Sequence, residues 1–285
     1  MLLQDKQVGA VVIATPPQTH YALAKKALQH NKHVLVEKPM TLKSQECEEL
    51  SDIAHANNAK LAVGHIFLYN DGVHFLKKQI SEPEFGKIHE IECIRQGHGP
   101  IRTETNVLWD LATHDISILL YLLDQMPTTV TAVGFKYAKN SFQEDSVVLC
   151  LNFPNNVNSI VKANWQYPIK ERRVTIIGEN KMIRFSDTDI SAPITIYDKS
   201  VVRHGEQSEA DYGAFKMIVK DGGYHVPSVK VKEPLLMQMS DFLGAISKNQ
   251  EPVSNSLYGA NVVRVLEAAQ TSLENNGVLV GVKNG

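Results

Sequence analysis

The chain has 285 residues, 43% of them hydrophobic, enough for a sizeable core and for more than one domain. Its 29 Lys and Arg stand against 31 Asp and Glu, a formal net charge of -2 with no run of like charges, which argues against a nucleic-acid platform or a polybasic membrane surface. Cys47, Cys93 and Cys150 lie far apart and make no metal-ligand spacing. With no secretory signal and no apolar stretch long enough for a bilayer, the composition is that of a reduced, cytoplasmic protein.

Two textures follow one another along the chain. Residues 8–14 (VGAVVIA) are a near-continuous β-branched run, the pattern of a parallel strand buried on both faces. Thr15-Pro16-Pro17 ends it, residues 19–29 predict a helix, 33–36 a strand, 44–56 a helix and 60–63 a third strand. This alternation builds right-handed βαβ units on a parallel sheet. From about residue 85 the texture changes: 87–95 alternate, 107–123 predict a helix, and strands follow at 128–137, 146–153, 158–166, 172–177, 182–186 and 194–197. Strands in succession without helices between them predict a mostly antiparallel sheet. Residues 199–232 are poorly periodic, hold Gly222-Gly223 and Pro227, and read as a long loop. Helices at 234–248 and 256–274 and a short strand at 278–282 close the chain.

A dinucleotide-binding sheet normally opens with a strand, a G-x-G-x-x-G turn and a helix, with an acidic residue further on for the ribose. That motif is absent; Gly97-His98-Gly99 comes nearest, with Arg102 at the third glycine position. Residues 1–3 read as the tail of a helix leading into the 8–14 strand. The fold class expected is α/β: a partial Rossmann parallel sheet with its first half missing, over residues 1–68, then an α+β domain with an open, mostly antiparallel sheet over 69–285. The expectation is of an N-terminally truncated chain that leaves the 8–14 strand as an exposed apolar edge.

Three segments carry chemistry. Ala14-Thr15-Pro16-Pro17-Gln18-Thr19-His20 sits at the carboxyl end of a strand, the edge where open α/β sheets bind ligands. Glu37-Lys38-Pro39 ends the next strand in the same way, and Pro39 keeps Lys38 out of the helical region, so its head is expected in the crevice, able to favour a substrate alkoxide. In Trp109-Asp110-Leu111-Ala112-Thr113-His114-Asp115, Asp110 and His114 fall one helical turn apart, so the carboxylate is expected to orient an imidazole that takes a proton from an alcohol. Taken singly, T-P-P is also an ordinary turn, the Glu-Lys pair an exposed loop pair and the helix one with a polar face. H-E-x-x-H is absent and no further ligands cluster nearby, so no metal is expected.

The order ATPPQTH, VLVEKP, GHIFLYN (64–70) and a helix bearing D-x-x-x-H resembles the Gfo/Idh/MocA family of oxidoreductases, over essentially the whole chain including Phe242-Leu243 and 262–272. The resemblance implies an enzyme that oxidises a secondary hydroxyl of a sugar or nucleotide-sugar by hydride transfer to NAD, with NADP left open, and that assembles as a homo-oligomer, dimer or tetramer. Carried over, Lys38, Asp110 and His114 are catalytic, His114 as base and Lys38 on the alkoxide. Ala14, Thr15, Pro16, His20, Glu37 and Lys38 line the cofactor, and Lys38, Arg102, Asp110 and His114 meet the substrate. Residues 97–102 (GHGPIR), the LWDLATHDIS helix and Lys232-Glu233-Pro234-Leu235 are similar to those of UDP-N-acetylglucosamine 3-dehydrogenases, in which Arg102 would meet a phosphate; Arg102 is equally readable as an exposed loop residue. Competing readings are a non-catalytic sugar-binding and oligomerisation remnant or inactive fragment, and a relative with other chemistry such as a dihydrodiol dehydrogenase or biliverdin reductase.

Overall fold

A computed structural model describes residues 2–137, 143–203, 217–230 and 232–283. The chain starts with a short 3-10 turn, Leu2–Gln4, and then builds β1 (Ala10–Ile13), α1 (Pro17–Gln29), β2 (His33–Val36), α2 (Ser44–Ala56) and β3 (Leu61–Val63). Pro17 opens α1, where its missing N–H costs nothing. The strands form a parallel sheet in the order β1-β2-β3. β2 and β3 are buried on both faces, as near-continuous apolar runs require. β1 has the composition of a strand buried on both sides but lies in the sheet as the exposed apolar edge that was expected: only Ile13 is buried, and Val12 is 55% exposed. Among the described residues β1 pairs with β2 alone, so one edge and much of one face lie open.

After a 3-10 turn at Ile66–Tyr69 comes α3 (Asp71–Ile80), for which the sequence reading had no element. Its start is fixed by Asn70, whose side-chain oxygen accepts from the N–H groups of Gly72 and Val73. β4 (Ile88–His98) follows, then a π-helical turn (Leu108–Ala112) that runs into α4 (Thr113–Leu123). Next are β5 (Thr129–Phe135), β6 (Ser146–Phe153), β7 (Val157–Asn164), β8 (Gln166–Gly178), β9 (Met182–Ser186), β10 (Ile194–Arg203) and β11 (Met217–His225). The chain closes with α5 (Pro234–Lys248), α6 (Ser256–Glu274) and β12 (Val280–Gly281).

These strands make one sheet in the order β11-β10-β9-β8-β4-β7-β6-β5-β12. It is antiparallel except for the β4–β7 pair, which is parallel. The long loop expected over 199–232 is corrected: β10 continues to Arg203 and pairs antiparallel with β11. The remainder of that stretch, 204–216 and 231, lies outside the described residues. β11 is an edge strand with Val219 and Tyr224 exposed on it, so no buried face imposed a period of two on its sequence.

One contiguous core runs through both sheets, from Val34, Val36 and Leu50 to Ile91, Val147 and Val161. α6 ties them together by packing on α2 and on β5, while α4 lies against β4 and β7. The carboxyl ends of β1 and β2 are thereby set beside the π turn and the last residues of β4. Among the described residues no helix is long and apolar enough to cross a membrane.

Candidate active site

The carboxyl ends of β1 and β2 open into a groove of about 370 Å³ lined by Ala14, Thr15, Pro16, Glu37, Lys38 and Trp109 among others. Thr15 and Thr19 share a hydrogen bond of 2.6 Å that closes the turn onto α1. Glu37 lies over Gly64: a Cβ at that position would sit 2.8 Å from Glu37 Oε2 and 3.1 Å from the Glu37 Cα, so the glycine makes room for the carboxylate. His20, expected on the cofactor, is fully buried and does not line the groove. Its ring nitrogens lie 2.8 Å from the carbonyl oxygens of Thr15 and Pro39, bridging the two loops from beneath.

Lys38 is placed at the junction of this groove with a second cavity of about 540 Å³ that also exposes Asp110, His114, Trp165 and Arg172. Its ammonium donates to the Asp110 backbone carbonyl at 2.6 Å and to Asp110 Oδ1 at 3.3 Å. Burial lowers the Lys38 ammonium below its ordinary range, and the Asp110 charge opposes that shift.

The expected Asp110–His114 pairing is corrected. Asp110 Oδ2 accepts from the Trp165 indole at 3.0 Å and lies 3.8 Å from Arg102 Nε, while Oδ1 faces Lys38. The physical reason is competition for the carboxylate: an ammonium, an indole N–H and a guanidinium face Asp110 from other elements, and charge-assisted partners outcompete a neutral imidazole. His114 is positioned instead by packing. Its ring meets Phe67 edge-on at 5.4 Å, and the guanidinium of Arg95 lies 4.4 Å from the Phe67 centroid. Arg95 in turn is locked by three hydrogen bonds of 2.9 to 3.2 Å to the buried Asp115 carboxylate on α4. Burial raises the Asp115 carboxyl above its ordinary value in spite of Arg95.

His114 Nδ1 is buried without a hydrogen-bond partner. Burial, and then the charges of Lys38 and Arg95, hold its imidazole well below the ordinary histidine value, so it is neutral at pH 7. His65, at the end of β3, is buried with neither ring nitrogen bonded and is pushed down to about 3 by burial and by Lys38. Arg102 stays 54% exposed at the mouth. The structure thus brings Lys38, Asp110, His114 and Arg102 to one cavity. Sequence reasoning missed Trp165, Arg95, Arg172 and His65; a lone indole or arginine on a strand carries no local signal of its target.

Residues 1–65 match the family described as "Oxidoreductase family, NAD-binding Rossmann fold", and residues 73–184 match the GFO/IDH/MocA C-terminal domain. The chain belongs to the Gfo/Idh/MocA family. It is 30% identical to the UDP-N-acetylglucosamine 3-dehydrogenase of Acidithiobacillus ferrooxidans over 59% of this chain and 53% of that protein, so the match spans about half the length of that relative. It is 25% identical to the oxidoreductase YrbE of Bacillus subtilis over 95% of this chain and 78% of that one. The crystal structure of the same Acidithiobacillus dehydrogenase, GnnA, superposes with a TM-score of 0.77 and 25% identity, covering 94% of this chain and 79% of that chain.

The first groove tests the fit of the family's coenzyme. Pro16, Pro17, Pro39 and Trp109 give this groove apolar wall beside the polar Thr15, Glu37 and Lys38, the mixture an amide-bearing aromatic ring would need, and Lys38 also lines the second cavity. These residues fit the nicotinamide end of a dinucleotide. The sequence holds no G-x-G-x-x-G turn to receive the pyrophosphate.

Proposed function

We propose that the protein is an NAD(P)-dependent dehydrogenase that oxidises a secondary hydroxyl of a sugar or nucleotide-sugar, with residues 1–68 as the dinucleotide-binding unit and 69–285 as the substrate-binding and assembly unit. The observation that carries this reading is the shared position of Lys38: it lines both the groove at the carboxyl ends of the parallel strands and the cavity that holds His114. The chemistry that a bound nicotinamide ring supplies is acceptance of the hydride.

The chain's own residues perform the proton work. His114 is neutral at pH 7, and because Nδ1 is buried, Nε2 is the atom that takes the hydroxyl proton. The Lys38 ammonium stabilises the negative charge that develops on the substrate oxygen. Asp110 keeps that ammonium aimed and charged against the cost of burial, and Trp165 holds Asp110. Ala14, Thr15, Pro16 and Glu37 flank the nicotinamide side, with His20 bracing their loops, and Arg102 meets the substrate. NAD is the coenzyme this reading favours, with NADP as the other arm of the test, and a cytoplasmic homo-oligomer is the form it takes. The similarity to the Acidithiobacillus dehydrogenase supports the sugar-nucleotide class.

The test is an assay of the chain with NAD and NADP against neutral sugars, inositols, UDP-sugars and aromatic diols, following reduced coenzyme and product. Reduced coenzyme with a keto-sugar product is the expected result. A folded chain that neither binds NADH nor reduces coenzyme with any sugar overturns the reading.

A further inference from the structure

The second cavity is electrostatically lopsided. Lys38, Arg95, Arg102, Lys170 and Arg172 line it, and among the described residues Asp110 is the one carboxylate on its wall. Three of these cations have carboxylate partners: Lys38 with Asp110 at 3.3 Å, Arg95 with Asp115 at 2.9 Å and Arg172 with Asp187 at 3.3 Å. Arg102 makes a 3.8 Å approach to the Asp110 oxygen that already accepts from Trp165, and its charge also reaches Glu104 on the neighbouring groove. Lys170 makes no ion pair among the described residues. Cations therefore outnumber carboxylates on this wall, with Lys170 unpaired among the described residues and Arg102 and Arg172 lining the same cavity. A concave, partly apolar wall focuses such a field and raises the local concentration of anions.

The same excess acts on the base. Lys38, Arg95 and Arg172 each contribute to holding His114 below its ordinary value. An anion seated among Arg102, Lys170 and Arg172 offsets that field and returns basicity to the imidazole, so an anionic substrate improves its own proton acceptor. A neutral sugar leaves the field in place.

We propose that the mouth of this cavity is an oxyanion subsite formed by Arg102, Lys170 and Arg172, and that the substrate is a sugar carrying a phosphate or carboxylate group. The proposal rests on the dehydrogenase reading for the sugar, but the subsite itself rests only on the placement of these three cations. Arginine meets either oxyanion with paired N–H groups and lysine with a point charge.

The experiment is isothermal titration calorimetry of the full chain with UDP, glucose 1-phosphate and glucuronate, against uridine and glucose as neutral controls, with and without saturating NADH. At least one oxyanion ligand is expected to bind where its neutral counterpart does not, more weakly as salt rises. Which of the three binds tells a diphosphate, a monophosphate and a carboxylate apart. Lys170→Met and Arg102→Met, both at exposed positions where folding is undisturbed, should each weaken that binding by about tenfold, with NADH present or absent. Binding no tighter than that of the neutral controls, unchanged binding in both variants, or displacement of the ligand by NADH overturns the subsite. No turnover is involved, so a chain that fails every dehydrogenase assay yet binds these ligands refutes the activity and leaves the subsite standing.

Discussion

The two walls of the site are built in opposite ways. On one side Thr15, Glu37 and Lys38 sit on loops that leave parallel strands, each within a residue or two of a proline that dictates where it points. On the other side Arg95, Trp165, Lys170 and Arg172 come from β4, from the β7–β8 junction and from β8, and only the sheet register brings them together; Arg95 stands directly opposite Arg172 in the β4–β8 pair. The loop wall depends on local backbone rules, at the ends of β1, which is largely open, and β2, which is buried. The sheet wall depends on pairings between distant segments and on a buried ion pair. Damage to the first should appear as lost chemistry, and damage to the second as lost stability.

The largest effect expected is on the loop wall. Lys38→Met removes the ammonium that, among the described residues, lines both cavities and should lower kcat about a thousandfold, with the folded state intact by circular dichroism. Turnover at the wild-type rate would remove Lys38 from the mechanism and with it the distinction between the walls.

Next is the sheet wall. Asp115→Ala strips the buried Arg95 guanidinium of its partner and should cost about 3 kcal/mol or more in a urea titration. Because burial already outweighs the Arg95 attraction at Asp115, replacing both with Asp115→Leu and Arg95→Met should recover most of that loss. A double variant as unstable as the single one would mean that the pair is worth more than its volume of apolar packing.

The contrast between the walls also explains what was legible in the sequence. The β1-α1-β2-α2-β3 alternation and the E-K-P and T-P-P turns are local signals, and the structure places Lys38 and Thr15 on the groove they suggested. α3 was invisible because Asp71-Gly72 reads as a turn until Asn70 is known to cap it. The β10–β11 hairpin was hidden because an exposed edge strand needs no alternation. The Asp110–His114 pairing was misjudged because spacing shows which residues share a helix face but not the Lys38, Trp165 and Arg102 side chains that reach Asp110 from elsewhere in the chain. Trp165 and Arg95 could not be assigned, since their partners are chosen by strand register.

A third prediction concerns pH and sharpens the role of burial where the walls meet. His65 and His114 both have lowered values in the folded chain, His65 to about 3. A depressed histidine binds its proton in the unfolded chain first, so stability is full above the unfolded value of 6.5 and falls as the pH drops below it, for His65 over the window from 6.5 down to about 3. Between pH 7.5 and 5.5 His65 should cost about 1.4 kcal/mol, with a further loss in the same direction from His114, read as a lower urea midpoint. His65→Phe, a ring that does not titrate, should remove the His65 share. A midpoint that is flat over this range would show that neither ring is held neutral by the fold.

The smallest effect expected is at a contact that links the walls. Trp165 reaches from the sheet to Asp110, and Asp110 holds Lys38. Trp165→Phe keeps the aromatic volume and removes the indole N–H, so Asp110 Oδ2 loses one donor but keeps Arg102 at 3.8 Å and leaves Oδ1 to Lys38. The loss is one hydrogen bond to a half-buried carboxylate, about 1 kcal/mol. If the walls act independently, that cost appears only in the urea midpoint. If Trp165 aims Lys38 through Asp110, kcat falls by about fivefold while the Kd for NADH, set on the loop side, stays the same. The second outcome is expected, because the Lys38 ammonium is bonded to both the carbonyl and the carboxylate of Asp110 and has no other partner among the described residues. An unchanged kcat with a lowered midpoint would restrict Trp165 to holding the sheet wall.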